Sequence, residues 1–138
     1  PLSHDYVEME AAPLYSFGYG KGFSSFTYSN LQVEENGHHR YKVMFDLRNE
    51  GKYDGAEVVQ LYLRDEYASF VRPQKQLKSF ERIFLKKGES RRVVLTLCED
   101  DFSLLDKEMK KIVEPGTFTI MVGAASDDIR LKISLIIK

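Results

Sequence analysis

RPQKQLKSFERIFLKKGESRRVVLTL, running from Arg72 to Leu97, is the stretch whose reading decides the fold. It opens as an extended amphipathic segment and reaches a basic glycine turn at Lys86-Lys87-Gly88-Glu89. It continues as a second segment in which Val93, Leu95 and Leu97 recur at every other residue. A period of two places alternate side chains on opposite faces of a strand, so one face is apolar and the other polar. VVQLYLRD precedes the stretch and VEPGTFTIMVG follows it, and both carry the same period.

The alternation extends outward from there. Tyr41, Val43, Phe45 and Leu47 share one predicted face, and Lys42, Asp46 and Arg48 share the other. Asn49-Glu50-Gly51 then breaks the strand. Val59, Leu61 and Leu63 line the next apolar face. Val58 makes that strand apolar on both sides at its start, as a central strand would be. Phe118, Ile120 and Val122 follow Pro115-Gly116, and Ile129 to Ile137 alternate most cleanly of all. No segment carries a long 3.6-residue period; Glu99 to Leu105 predicts at most a single helical turn. About seven strands separated by turn signals give an all-β, immunoglobulin-like antiparallel β-sandwich. Its two inner faces would pack about 10 Å apart.

Composition narrows the function classes. The 138 residues suit one domain, and 43% hydrophobic with 30% charged residues suits a packed core under a charged surface. Twenty basic against twenty-one acidic residues leave a net charge of −1. Nucleic-acid binding needs a basic surplus, so it is disfavoured. No apolar run nears the roughly 18 residues of a membrane helix. Cys98 is the single cysteine, which excludes an internal disulfide and leaves the compartment open.

Residues 1–25 differ from the remainder, being rich in Gly, Ser and aromatics without a clean period. They read as the end of a preceding domain and a linker, with the sandwich occupying residues 26–138. The start at Pro1 reads as a piece of a longer protein. Tyr15, Phe17, Tyr19 and Phe23 are too many aromatics for a solvated tether, and they are expected to pack on a neighbouring surface. The alternative is that they stack on sugar rings.

The ordered motifs resemble a known family. PLYSFGYG (13–20), DGAEVVQLYLRD (54–65), RPQKQLKSFERI (72–83), KKGESRRVVLTL (86–97) and VEPGTFTIMVGAASDDIRL (113–131) resemble the C-terminal fibronectin type III-like domain of glycoside hydrolase family 3, the β-glucosidases and β-xylosidases. Each motif alone is weak, but their order and spacing over nearly the whole chain are specific. Ser16 stands where the family pattern has proline, and Lys21-Gly22-Phe23 where Leu-Ser-Tyr is usual. Both departures bear on how the linker packs rather than on the fold. The absence of tryptophan sets the chain apart from adhesion-type modules, which usually bury one. The resemblance implies a parent that is a retaining β-glycosidase acting on terminal β-glycosidic bonds with two carboxyl groups about 5 Å apart. It places those groups in domains before the linker, so no catalytic residue, metal ligand or cofactor site is carried onto this chain. The implied role is a non-catalytic accessory domain bracing the catalytic domains of the same polypeptide and supporting a homodimer. The implied location is the periplasm or the extracellular space. The alternative is a carbohydrate-binding module using linker and loop aromatics.

The other chemistry-bearing residues have plainer readings. Asp65-Glu66 and Asp127-Asp128 are adjacent acids, whereas catalytic carboxylates must converge across a pocket. Glu99-Asp100-Asp101 suits the first turn of a helix. His38 and His39 follow the Asn36-Gly37 turn signal and are expected to diverge, short of the three convergent ligands a metal needs. Cys98, at a strand end, reads as a small buried hydrophobe. The basic run from Arg64 to Arg92 reads as a solvated outer face or as a polar interface. Arg72, before Pro73, is the residue expected to cross such an interface, because its planar fork suits carboxylates and carbonyls. The candidate interdomain contacts are therefore Tyr15, Phe17, Tyr19 and Arg72.

Overall fold

The alternating segments all become strands. A computed structural model describes residues 7–8, 25–66, 75–105 and 107–138. In chain order the elements are β1 (Val7–Glu8), β2 (Phe26–Glu35), β3 (Tyr41–Asn49), β4 (Gly55–Asp65), β5 (Gln76–Leu85), β6 (Ser90–Leu97), α1 (Glu99–Phe102), β7 (Leu104–Leu105), β8 (Lys111–Ile112), β9 (Gly116–Ala125) and β10 (Asp128–Ile137). Seven strands of 8 to 11 residues carry the fold, as the alternation requires.

Two antiparallel sheets pack face to face, ordered β1-β10-β9-β4-β5 and β2-β3-β6. Successive strands change sheet after β1, β3, β5 and β6, in keeping with an immunoglobulin-like sandwich. The inner faces are those the periodicity marks. Tyr41, Val43, Phe45 and Leu47 of β3 meet Val59, Leu61 and Leu63 of β4, with Phe118, Ile120 and Val122 of β9 and Leu131 to Ile137 of β10, in one buried cluster. Each fully buried large apolar side chain is worth roughly 1.5–3 kcal/mol against exposure. Tyr28 stacks on Phe45 at 5.6 Å, and Phe102 of the short α1 meets Tyr41 and Phe118 edge-on at 5.6 and 5.1 Å, closing that end of the core.

Two glycines are required by geometry. Gly88 takes φ +79° in the β5–β6 turn, where Glu89 N–H donates to the Lys86 carbonyl at 2.8 Å. At Gly123 an added Cβ would stand 2.2 Å from the Asp128 carbonyl oxygen, where β9 and β10 shift register.

At two positions the burial differs from the sequence reading. β4 lies between β9 and β5, as the central-strand reading expected, but Val58 near its start is half-exposed on the outer face; the outward side chains buried there are Tyr62 and Met121, which are register partners on β4 and β9. Cys98 is exposed rather than buried, because it lies one residue past β6, beyond the last inward position, Leu97. Val7–Glu8 pair with Ile133 and Lys132 at the edge of the larger sheet.

Candidate interdomain surface

β4 and β5 run antiparallel with Ala56 opposite Phe84, Val58 opposite Arg82 and Gln60 opposite Phe80. These partners share the outer face of the larger sheet, since Val59 and Ile83, their chain neighbours, point into the core. Phe80 and Phe84 are 64% and 50% exposed, and Leu77 and Val58 are close to half-exposed beside them. Aromatic side chains this open on a sheet face are unusual when clustered, because solvation of one contiguous apolar patch is unfavourable. A basic rim borders the patch. Lys75 Nζ lies 5.9 Å above the Tyr62 ring, and Arg91 donates to the Phe84 carbonyl at 3.2 Å.

Much of the basic run is held by acids of its own surface. Arg64 Nε pairs with Glu66 at 2.8 Å. Arg92 bridges Asp46 at 2.9 Å and Gln32 at 2.8 Å across the smaller sheet. The Arg92 hydrogen bond holds the Asp46 carboxyl below the usual carboxylate range, with Asn30 contributing. Burial pushes the Glu66 carboxyl up, but hydrogen bonds from Thr119 and Arg64 outweigh it and hold it low. Of the expected interdomain contacts, Tyr15, Phe17, Tyr19 and Arg72 all lie outside the described residues.

Several other titratable groups have structural partners. Asp128 accepts two hydrogen bonds from Arg130, at 2.7 and 3.2 Å. The same guanidinium reaches the Phe26 carbonyl at 3.0 Å and lies over the Tyr28 ring. Tyr28 donates to Glu57 at 2.7 Å, and burial followed by the Glu57 charge raises its phenol well above the ordinary value. Asp101 accepts from the Cys98 N–H at 2.8 Å at the start of α1, and Asp100 pairs with Lys111 at 3.4 Å. The two histidines do not diverge as expected. His39 adopts φ +56°, which turns its ring back so that the His38 and His39 centroids lie 3.9 Å apart.

Asn49 was readable only as part of a turn signal, yet it is a buried organiser. Its Nδ2 donates to the carbonyls of Tyr53 and Leu85 at 3.0 Å each, and its Oδ1 accepts from the Gly51 N–H at 2.9 Å. These bonds shape the 50–55 loop, which borders a shallow groove of about 410 Å³ beside the 80%-exposed Tyr53.

Residues 57–126 match the profile of the fibronectin type III-like domain. The chain belongs to this family. The β-sandwich found here is therefore a fibronectin type III-like domain, and its relatives carry it inside much larger enzymes. It is 43% identical over 136 residues to a "Beta-xylosidase" of Formosa agariphila, covering 94% of this chain and 18% of that protein. It is 37% identical over 124 residues to a "Periplasmic beta-glucosidase" of Salmonella typhimurium, covering 88% of this chain and 16% of that protein. In structure it is similar to the crystal structure of a GH3 β-glucosidase of Bifidobacterium adolescentis, with a TM-score of 0.77 and 30% identity, over 83% of this chain and 17% of that one. The fibronectin type III-like domain thus spans less than a fifth of the length of each of these relatives.

Proposed function

We propose that this domain is a non-catalytic accessory module of a family 3-like β-glycosidase, one that hydrolyses terminal β-glycosidic bonds in the periplasm or outside the cell. Its work is to brace the catalytic domains of the same polypeptide. The observation that carries this reading is the apolar outer face of β4 and β5, with Phe80 and Phe84 open to solvent in the isolated domain. An apolar face of this kind marks an interaction surface, and interdomain contacts are an ordinary cover for it. The aromatics at Tyr15, Phe17 and Tyr19 and the guanidinium of Arg72 are proposed to add to the same contact.

The test compares the 138-residue chain with the full-length protein on aryl β-glucoside and aryl β-xyloside. The reading expects turnover by the full-length protein and none by the chain alone. Turnover by the chain would overturn it. A second reading, carbohydrate binding, is favoured by Tyr53, which stands beside the polar groove as an exposed ring. Titration with glucose, xylose and short β-linked oligosaccharides at millimolar concentration decides it: saturable binding lost in Tyr53→Ala supports that reading, and no binding removes it.

A further inference from the structure

The turn between β2 and β3 brings two imidazoles against the first residue of α1. One ligand atom each from His38, His39 and Glu99 lies within 4.8 Å of the other two. His39 is mostly buried. Its Nδ1 is sealed from solvent, has no hydrogen-bond partner, and sits 3.6 Å from Glu99 Oε2, too far for a hydrogen bond. A buried nitrogen without a partner is costly, so something is expected to satisfy it. The spacing is informative about what. Ligands bound at about 2.1 Å in a tetrahedral site stand roughly 3.4 Å apart. The His39–Glu99 pair is already near that value, and His38 and Glu99 are exposed enough to close the remaining distance by side-chain rotation.

We propose that His38, His39 and Glu99 bind a divalent transition-metal ion of the zinc class. Two imidazoles and one carboxylate suit zinc, nickel or copper better than magnesium or calcium, which prefer all-oxygen sites. The scaffold is firm on both sides. The turn is closed by hydrogen bonds from Asn36 N–H to the Arg40 carbonyl at 2.7 Å and from Arg40 N–H to the Gly37 carbonyl at 3.2 Å. Glu99 opens a helical turn whose start is held by the Cys98–Asp101 hydrogen bond. Three protein ligands leave a coordination position for water or for a group from a neighbouring surface. The bound ion ties the β2–β3 turn to the loop after β6, at the end of the sandwich closed by Phe102. This site is independent of the glycosidase assignment.

The experiment is isothermal titration of the tag-free 138-residue chain with zinc chloride, with magnesium chloride as the contrast, together with thermal melting. The site predicts one zinc per chain, no magnesium binding, and a rise in Tm of about 5–10 °C at a hundredfold excess over Kd. It predicts that His38→Ala and Glu99→Gln each weaken zinc binding by tenfold or more. Asp100→Asn, a neighbouring acid outside the cluster, leaves it unchanged. Imidazole resonances of His38 and His39 shift on titration, which reports the site even in a variant of altered stability. No zinc binding at millimolar concentration would overturn the proposal. So would binding of equal strength in the His38→Ala/Glu99→Gln double variant.

Discussion

The two outer faces of the sandwich are built from the same alternating pattern and end up unlike. On the smaller sheet, Asp46, Arg92, Gln32 and Asn30 bind one another across β2, β3 and β6, so the polar positions are satisfied within the domain. On the larger sheet, Arg64 and Thr119 both donate to Glu66 near the end of β4 and Tyr62 donates to Gln60, but beside these groups Val58, Phe80 and Phe84 of β4 and β5 stand open to solvent. One outer face is tied across its strands by polar groups; the other also keeps an apolar stripe in solvent. That difference is the physical basis for reading the domain as a brace rather than as an independent module.

The comparison can be broken or sharpened by substitution. The largest effect is expected at Asn49, which couples the two sheets through the loop leading into β4. Asn49→Ala strands the Tyr53 and Leu85 carbonyls and the Gly51 N–H, and it is expected to cost about 3 kcal/mol by urea denaturation. Next comes Gly123→Ala, which drives a Cβ into the Asp128 carbonyl within the sheet that bears the apolar face. A loss of about 2 kcal/mol is expected. A neutral outcome at either position would mean that the two sheets are positioned by something other than these contacts.

The smallest effect belongs to the polar face. Its Asp46–Arg92 pair is more than a third exposed, so about 0.2–1 kcal/mol is expected on removal. Because Asp46 is held low in the fold, its contribution is present above the ordinary carboxylate value and is lost as pH falls through its depressed value. Asp46→Asn should flatten the acid limb of a stability profile and leave the alkaline limb alone. The alkaline limb belongs to Tyr28 and Tyr41. Both phenols are raised in the fold, Tyr28 the more strongly, so their contribution is full below the ordinary value of about 10 and is lost as pH rises through the raised values. Tyr28→Phe should shrink that limb, and an unchanged limb would assign it to other groups.

The sandwich was legible because alternation is a backbone property. A one-residue slip would expose Val43, Phe45 and Leu47 together, so the pattern fixes which face is inside. The features that position the candidate surfaces depend on single torsions or on cross-sheet contacts, which periodicity does not encode. His38 and His39 were expected to diverge, and a left-handed φ at His39 alone brings them together. Asn49 looked like a turn residue, and its partner carbonyl on Leu85 is 36 positions away. The apolar outer face was hidden in plain alternation. Phe80 and Phe84 sit at outward positions that a solvated strand would fill with polar groups, and Arg82 between them disguises the stripe.

The central claim is that the β4–β5 face is covered in the parent protein, and thermal melting of Phe80→Ser/Phe84→Ser in two contexts tests it most directly. In the 138-residue chain the double variant should melt within a degree or two of wild type, because both rings are largely in water already. In the full-length protein it should melt several degrees lower, because the same rings would then be leaving a buried contact. Equal behaviour in the two contexts would contradict the account.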